Sequence, residues 1–469
     1  MRAVMAPSPQ RKPAVGFIFV TLVLAVVGFG LLIPVLPALV KEFKHGDASA
    51  GSHAYGWIIS TYALMQFVGS PIMGSLSDRY GRRRIILIAT AGSALDYVIM
   101  ANAPTLAWLF VARTIAGFTA GVLSTANAYI ADVTPPEKRA QSFGLLGAAF
   151  GIGFIIGPVA GGFLGDKGIW MSHFAVSVFG VDHAAWLSAH ALRIPFWFAA
   201  LCSTLNWTWG FFMLPESLKP ENRRDFQWKR ANPVGALLAL GHLPSVLALA
   251  GSYFILMLAQ TMLQSTWAIY TDARYHWGPL EIGLSLMSVG VLSGLVQATL
   301  VKKIVPRIGD ARAVVVGFII SIGSQIGYGL ASHGWMIYAI LFVGAFAGIS
   351  GPALQSYITK HVPANEQGAV QGVYAGLASL AGIPGPLLGT MILGWAVGTD
   401  NTVHLPWIFS TLDGPLTRIL ALIAPLRFPG DSFFMGALLT GLALYLALRT
   451  FRRDAHMHTP VPVPQTTTG

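Results

Sequence analysis

The stretch GSLSDRYGRRR, Gly74 to Arg84, stands between two apolar runs near 54–77 and 85–103. Only a few residues carry the reversal, and the glycines suit a sharp turn and close packing. Each flanking run is about 20 residues long, the length of helix that crosses a hydrocarbon layer roughly 30 Å thick. Runs of that kind recur from end to end. The chain has 469 residues, of which 10% are charged and 54% hydrophobic. A soluble domain carries roughly 25% charge, so a soluble enzyme is excluded and the bilayer becomes the relevant solvent.

Apolar windows bounded by charges, Pro and Gly predict twelve spans. In the first half they lie near 14–39, 54–77, 85–103, 106–131, 140–165 and 193–214, and in the second near 244–270, 281–301, 312–331, 335–358, 368–397 and 431–450. The first run follows Arg2, Arg11 and Lys12 but has no small-residue cleavage site, so it reads as an uncleaved span. With a cytoplasmic N-terminus, 22 Lys and Arg fall on the cytoplasmic side, 7 outside and one, Arg113, inside a span. The positive-inside rule therefore predicts both termini in the cytoplasm.

The charged segment ESLKPENRRDFQWKR, Glu216 to Arg230, divides the chain nearly in half. The expected organisation is an N-terminal six-helix bundle over 1–214, a cytoplasmic linker over 215–243, a C-terminal six-helix bundle over 244–453 and a cytoplasmic tail over 454–469. Two long outer loops, Asp166 to Arg193 and Gly398 to Asp431, occupy matching places and carry aromatic residues suited to short surface helices. The net charge of +11 is spread through short loops, which argues for topology rather than nucleic-acid binding. Cys202 is the only cysteine, so no disulfide forms within one chain. No GxxxxGK[ST] loop and no His-rich or acidic cluster is present, which predicts no nucleotide, metal or other cofactor.

Asp78 falls at a helix C-terminus, where the macrodipole disfavours an anion, so it needs a basic neighbour or the positive end of another helix. A weaker echo of the stretch, LVKKIVPRIGDAR from Leu300 to Arg312, stands between spans eight and nine. In span five, GAAFGIGFIIGPVAGG from Gly147 to Gly162 offers a smooth face, and Pro158 favours a kink. Gly351-Pro352 and Gly385-Pro386 are expected to be further flexing points. Arg113 and Asp96 are the one cation and the one carboxylate placed well inside spans. Lipid tolerates neither, so both must face the bundle interior. A carboxyl that is neutral in one state and charged in another serves a proton-driven exchanger; a static ion pair is the competing account.

These residues resemble those of a known family. GSLSDRYGRRR is similar to the GxLaDrxGrkxxl signature of the major facilitator superfamily, and Gly157-Pro158 with Gly161-Gly162 resembles the GPxxGG pattern of its drug/proton exchangers. Nearly the whole chain, from about Val15 to Leu448, resembles the bacterial tetracycline-resistance efflux family. The resemblance rests on GFGLLIPVLP (Gly28 to Pro37), LDY (Leu95 to Tyr97), AYIADVTP (Ala128 to Pro135), LPES (Leu214 to Ser217), GPALQ (Gly351 to Gln355) and QGxxQG (Gln367 to Gly372). It implies an all-α fold of two six-helix bundles in the bacterial inner membrane, working as a monomer. It also implies export of an amphipathic small molecule in exchange for protons, with the proton gradient as energy source. Asp96 and Arg113 would couple protons. Gly74, Asp78, Arg79, Gly81, Arg82, Asp132, Gly157, Pro158, Gly161 and Gly162 would govern the conformational change. Candidate cargo contacts are Asn127, Gln260, Gln264, Trp267 and Gln355: amides orient an amphipathic molecule, and the indole offers a stacking surface. The chain departs from the family at Ala25, Ser293 and Ser321, where tetracycline exporters carry Asp, His in one branch, and Asp. The missing span-one acid keeps open an uncoupled facilitator or symporter of a metabolite, and a membrane receptor or scaffold that moves no solute is a third reading from another class.

Overall fold

A computed structural model describes residues 15–135, 138–166, 190–224, 244–360, 367–398, 413–424 and 427–457. Within them the chain is a series of helical rods. The first half holds α1 (Val15–Phe43), α2 (Ala48–Tyr80), α3 (Arg82–Asn102), α4 (Leu106–Thr119 continued by Val122–Val133), α5 (Arg139–Gly165) and α6 (Ile194–Met213). The second holds α7 (Pro244–Tyr275), α8 (Pro279–Leu295 prolonged through a π segment to Ile308), α9 (Asp310–Leu330), α10 (Gly334–Gly344 and Ser350–Lys360), α11 (Gln367–Ala381 and Pro384–Val397) and α12 (Asp431–Met457). Ten of these rods are long and apolar enough to cross a membrane. The parts of the linker over 225–243, the first long loop over 167–189 and the tail beyond 457 lie outside the described residues.

Rod ends follow local chemistry. Asp47 caps α2 by accepting the Ser49 and Ala50 N–H groups at 2.8 and 3.0 Å. Gly81 joins α2 to α3 at φ 101°, ψ 151°, and Gly309 joins α8 to α9 at φ 81°, ψ 156°. Both glycines sit where an L side chain would be strained, so the echo between the two halves is a shared backbone turn. The flexing points differ from expectation by up to a turn. In α10 the irregular segment is Ala345–Ile349, upstream of Pro352, and in α11 the break falls at Gly382 and Ile383. Each proline lacks an N–H and crowds the carbonyl four residues earlier, so the ladder fails before the proline rather than at it.

α1 packs on α5, α2 on α4 and α3 on α6, while α7 packs on α11 and α12 and α9 on α10 and α12. The halves meet through α5 against α8 and α2 against α11. Equivalent ends of the two halves carry equivalent ion pairs of opposite polarity: Arg82 Nε to Asp132 Oδ2 at 3.2 Å, and Asp310 Oδ2 to Lys360 Nζ at 2.5 Å. At that end, the hydrogen bonds described for the Gly81 and Gly309 turns run within one half. At the opposite end the halves are tied together. Lys41 Nζ meets Asp272 Oδ2 at 2.8 Å, Ser52 Oγ donates to the Thr390 carbonyl at 2.8 Å, and Ser60 Oγ donates to the Ile383 carbonyl at 2.7 Å. The second long loop contains a surface helix, Asp413–Ile423, with Leu420 buried against Met391 and Trp395 and Leu422 exposed.

Candidate functional site

Asp96 on α3 and Arg113 on α4 are brought together at the centre of the first half. They are 1% and 3% exposed, and Arg113 Nη2 donates to Asp96 Oδ2 and to Met100 Sδ. The guanidinium also lies over the Tyr62 ring, 5.5 Å from its centroid. Asp96 Oδ1 and Arg113 Nε have no hydrogen-bond partner among the described residues. The pair is thus made but incompletely satisfied, the kind of buried charge pair whose partners become strongly unfavourable when separated.

At the Gly81 turn, Asp78 finds the basic neighbour its position demands: Arg82 Nη1, four residues on and across the turn, lies 2.5 Å from its Oδ1. Arg82 also donates to Ser77 Oγ at 2.6 Å and to Asp132. Glu216, just past α6, accepts the Arg82 N–H at 2.8 Å and the Ser217 and Leu218 N–H groups at 3.1 Å. Its carboxylate occupies the space a side chain on Gly81 would need. The linker is stitched on as well, since Ser217 Oγ donates to Asp132 at 3.2 Å and the Arg224 N–H to the Asp78 carbonyl at 3.1 Å. Arg79 is exposed and lies over the Tyr80 ring. Gly74 corrects an expectation: a methyl there would meet nothing within 4 Å, so Gly81 alone in this turn is a close-packing glycine. Sequence reasoning missed Glu216 as part of this latch, although LPES marked its neighbourhood.

The glycine face of α5 is a two-sided seam. Methyls on Gly157 and Gly153 would lie 2.7 Å from the Val27 carbonyl oxygen and 2.6 Å from Val26 Cβ on α1, and one on Gly161 would collide with Leu31. On the other side, Gly162 abuts the Pro279 carbonyl of α8, and the Pro158 carbonyl abuts Gly283. The seam therefore includes a joint between the halves.

A cavity of about 390 Å³ opens in the second half, within the size range of small-molecule sites. Gln260, Gln264, Trp267, Ser293 and Ser321 line it, with Phe154 from the first half. Trp267 is 3% exposed, donates through Nε1 to Ser285 Oγ at 3.0 Å and meets the Tyr328 and Phe433 rings edge-on. Its ring is committed to the wall, which corrects the expectation of a free stacking platform. Gln355 lies instead in a shallow recess beside Lys360, and Asn127, half-buried on α4, lines no described cavity. Ala25 is exposed on α1 and does not line the cavity. Gln297, Ser324, Gln325 and Tyr328 also line the cavity and were not anticipated; the one signal was Ser321, a turn before Gln325 on the same helix. No group of three metal-ligating side chains occurs among the described residues.

Residues 18–386 match the Major Facilitator Superfamily, and the chain belongs to that superfamily: it is a multi-pass membrane transporter and not an enzyme. Within it, the chain belongs to the family of the tetracycline resistance proteins. It is 38% identical to tetracycline resistance protein, class C, of Escherichia coli over 83% of this chain and 91% of that one. To the class H protein of Pasteurella multocida it is 34% identical over 80% and 88%. Among solved structures, a D-xylose-proton symporter superposes with a TM-score of 0.69 at 15% identity, covering 93% of this chain and 97% of the other. The human organic anion transporter MFSD10 superposes with a TM-score of 0.63 at 22% identity, covering 94% and 100%. At those identities the two structures bear on the fold alone.

Proposed function

We propose that the chain exports amphipathic small molecules from the cell in exchange for protons, by alternating access of a site between two bundles. The observation that carries this reading is the buried Asp96–Arg113 pair, which stands apart from the cavity. A carboxylate that can release its cation partner on protonation is a switch that cargo need not touch. Membership beside tetracycline resistance proteins supports an export direction. The ties between halves through Lys41, Ser52 and Ser60 describe a carrier closed at that end, the outer one in the proposed orientation. In that orientation the Gly81 turn, the linker and both termini face the cytoplasm of a bacterium, across its inner membrane. The carrier works as a monomer, takes energy from the proton gradient without a cofactor and binds no nucleic acid.

The direct test is an efflux screen over a drug panel, tetracycline included, in cells expressing wild type or Asp96→Asn. Export by wild type that falls at least tenfold in the variant supports the reading. Undiminished proton-driven export by Asp96→Asn, or export that ignores the gradient, overturns it.

A further inference from the structure

Resting on the exporter reading above, we propose that Tyr62 on α2 is the positioning residue that links the Asp96–Arg113 pair to the joint between the halves. Its ring takes up the Arg113 guanidinium when Asp96 is neutral, and the turn of α2 that carries it bears on α11. The first observation is where Tyr62 stands. Arg113 donates to Asp96 and to the Met100 thioether, and its guanidinium lies 5.5 Å from the centroid of the Tyr62 ring. A proton on Asp96 removes the carboxylate's charge and leaves the guanidinium charged. Of the partners that remain, a thioether sulfur is a weak acceptor, whereas the face of a phenol ring attracts a cation most strongly where water is excluded. The buried cation therefore stays with the ring rather than going unpaired. The titratable groups facing the pair are Tyr55 and Tyr62 of α2 and Tyr97 of α3.

The second observation is what else that turn of α2 touches. Ser60, 3% exposed, donates through Oγ to the Ile383 carbonyl at 2.7 Å, and Ala63 packs on Gly382. Both contacts fall on the break in α11, where the helical ladder is already interrupted and a change of tilt disturbs few hydrogen bonds. Successive residues of a helix turn by about 100°, so Tyr62 faces the first half while Ser60 and Ala63, on another side of the same turn, hold the second. On the first-half side the contact is tight. A methyl on Gly117 of α4, one turn past Arg113, would lie 2.4 Å from the Tyr62 carbonyl oxygen and 2.7 Å from Met65 Cβ. At this level α2 is gripped between α4 and α11. Close-packed backbone does not absorb displacement, so a shift of the guanidinium from carboxylate to ring is felt at the joint.

The test uses the purified full chain in lipid nanodiscs, with Cys202→Ser, Ala63→Cys and Gly382→Cys, where the initial rate of disulfide formation under a mild oxidant reports the α2–α11 joint. Asp96→Asn mimics the neutral acid and is expected to change that rate by about threefold or more. With Tyr62→Leu, which keeps apolar bulk without a ring, the Asp96→Asn effect is expected to fall to less than half. With Tyr62→Phe, which keeps the ring, the effect should remain. A merely structural role for Tyr62 would shift the rate with or without Asp96→Asn and leave the effect of that change intact. If Tyr62→Leu does not fold, trifluorinated phenylalanine at position 62, similar in shape but with its ring face drained of negative charge, takes its place. No rate change on Asp96→Asn, an undiminished effect in Tyr62→Leu, or loss of the effect in Tyr62→Phe overturns the inference. The assay needs neither cargo nor a gradient. A missing link in a chain that exports in the efflux screen overturns this inference alone, and an intact link in a chain that exports nothing strikes the exporter reading alone.

Discussion

At the scale of single residues, Asp96 and Arg113 stabilise each other only as a pair. Removing the carboxylate's partner leaves a charge buried in low dielectric, at a cost of about 3–5 kcal/mol. Arg113→Ala should therefore lower the unfolding temperature of the purified protein sharply. The double change Asp96→Asn with Arg113→Gln, which removes both charges and keeps hydrogen-bonding groups, should recover most of the loss. A double variant no more stable than Arg113→Ala would count against a coupled pair. Glu216 allows a second prediction, because one carboxylate accepts four backbone N–H groups, those of Arg82 and Arg83 just past the Gly81 turn and those of Ser217 and Leu218 in its own segment. Glu216→Ala should cost about 1–2 kcal/mol, in the range for loss of a helix cap, with Glu216→Gln milder because its carbonyl oxygen still accepts. Proteolysis of the linker, faster in the alanine variant than in the glutamine one, is the measurement. The charged pair was legible in the sequence because ionisable groups are rare inside spans. The cavity residues Ser324 and Gln325 were not, since neutral polar residues are common there and only burial distinguishes them.

Among the helices, close approach decides which glycines matter. A methyl on Gly157 would press on backbone atoms of α1 that cannot yield, whereas one on Gly147 would meet nothing within 4 Å. Gly157→Ala should destabilise by about 1–3 kcal/mol, as overpacking does. Gly147→Ala should be neutral or stabilise by up to about 1 kcal/mol through helix propensity. Thermal unfolding of the two variants separates them, and equal effects would contradict the seam. Most spans were legible because about 20 apolar residues in a row leave little alternative. The start of α2 was not. It begins at Ala48 rather than near 54, and Gly51, Ser52, His53, Ala54, Tyr55 and Gly56 are all buried. Ser52 reaches across to Thr390 of α11, so this polar stretch is covered by protein rather than lipid, which hydropathy cannot register.

For the whole molecule, transport requires the joined end to open. A Cβ on Gly382 of α11 would lie 3.4 Å from the Ala63 Cβ of α2, close to the spacing of about 3.5–4.5 Å that a disulfide needs. In a Cys202→Ser background, Ala63→Cys with Gly382→Cys should cross-link on oxidation and arrest transport, and reduction should restore it. Full activity of the oxidised form would mean that α2 and α11 never part. The two-bundle plan was legible from the repeated turn, which folds to nearly the same backbone at Gly81 and Gly309. The closed end was not, because it depends on the pairing of Lys41 with Asp272 across 231 positions of chain.

The central claim, that proton movement through Asp96 drives cargo movement, is tested most directly in proteoliposomes holding purified protein and an imposed pH gradient. Wild type should concentrate a transported drug against its own gradient while protons move the opposite way. Asp96→Asn should exchange labelled for unlabelled drug at equilibrium but fail to concentrate it. Gradient-driven accumulation by Asp96→Asn at the wild-type level would contradict the account.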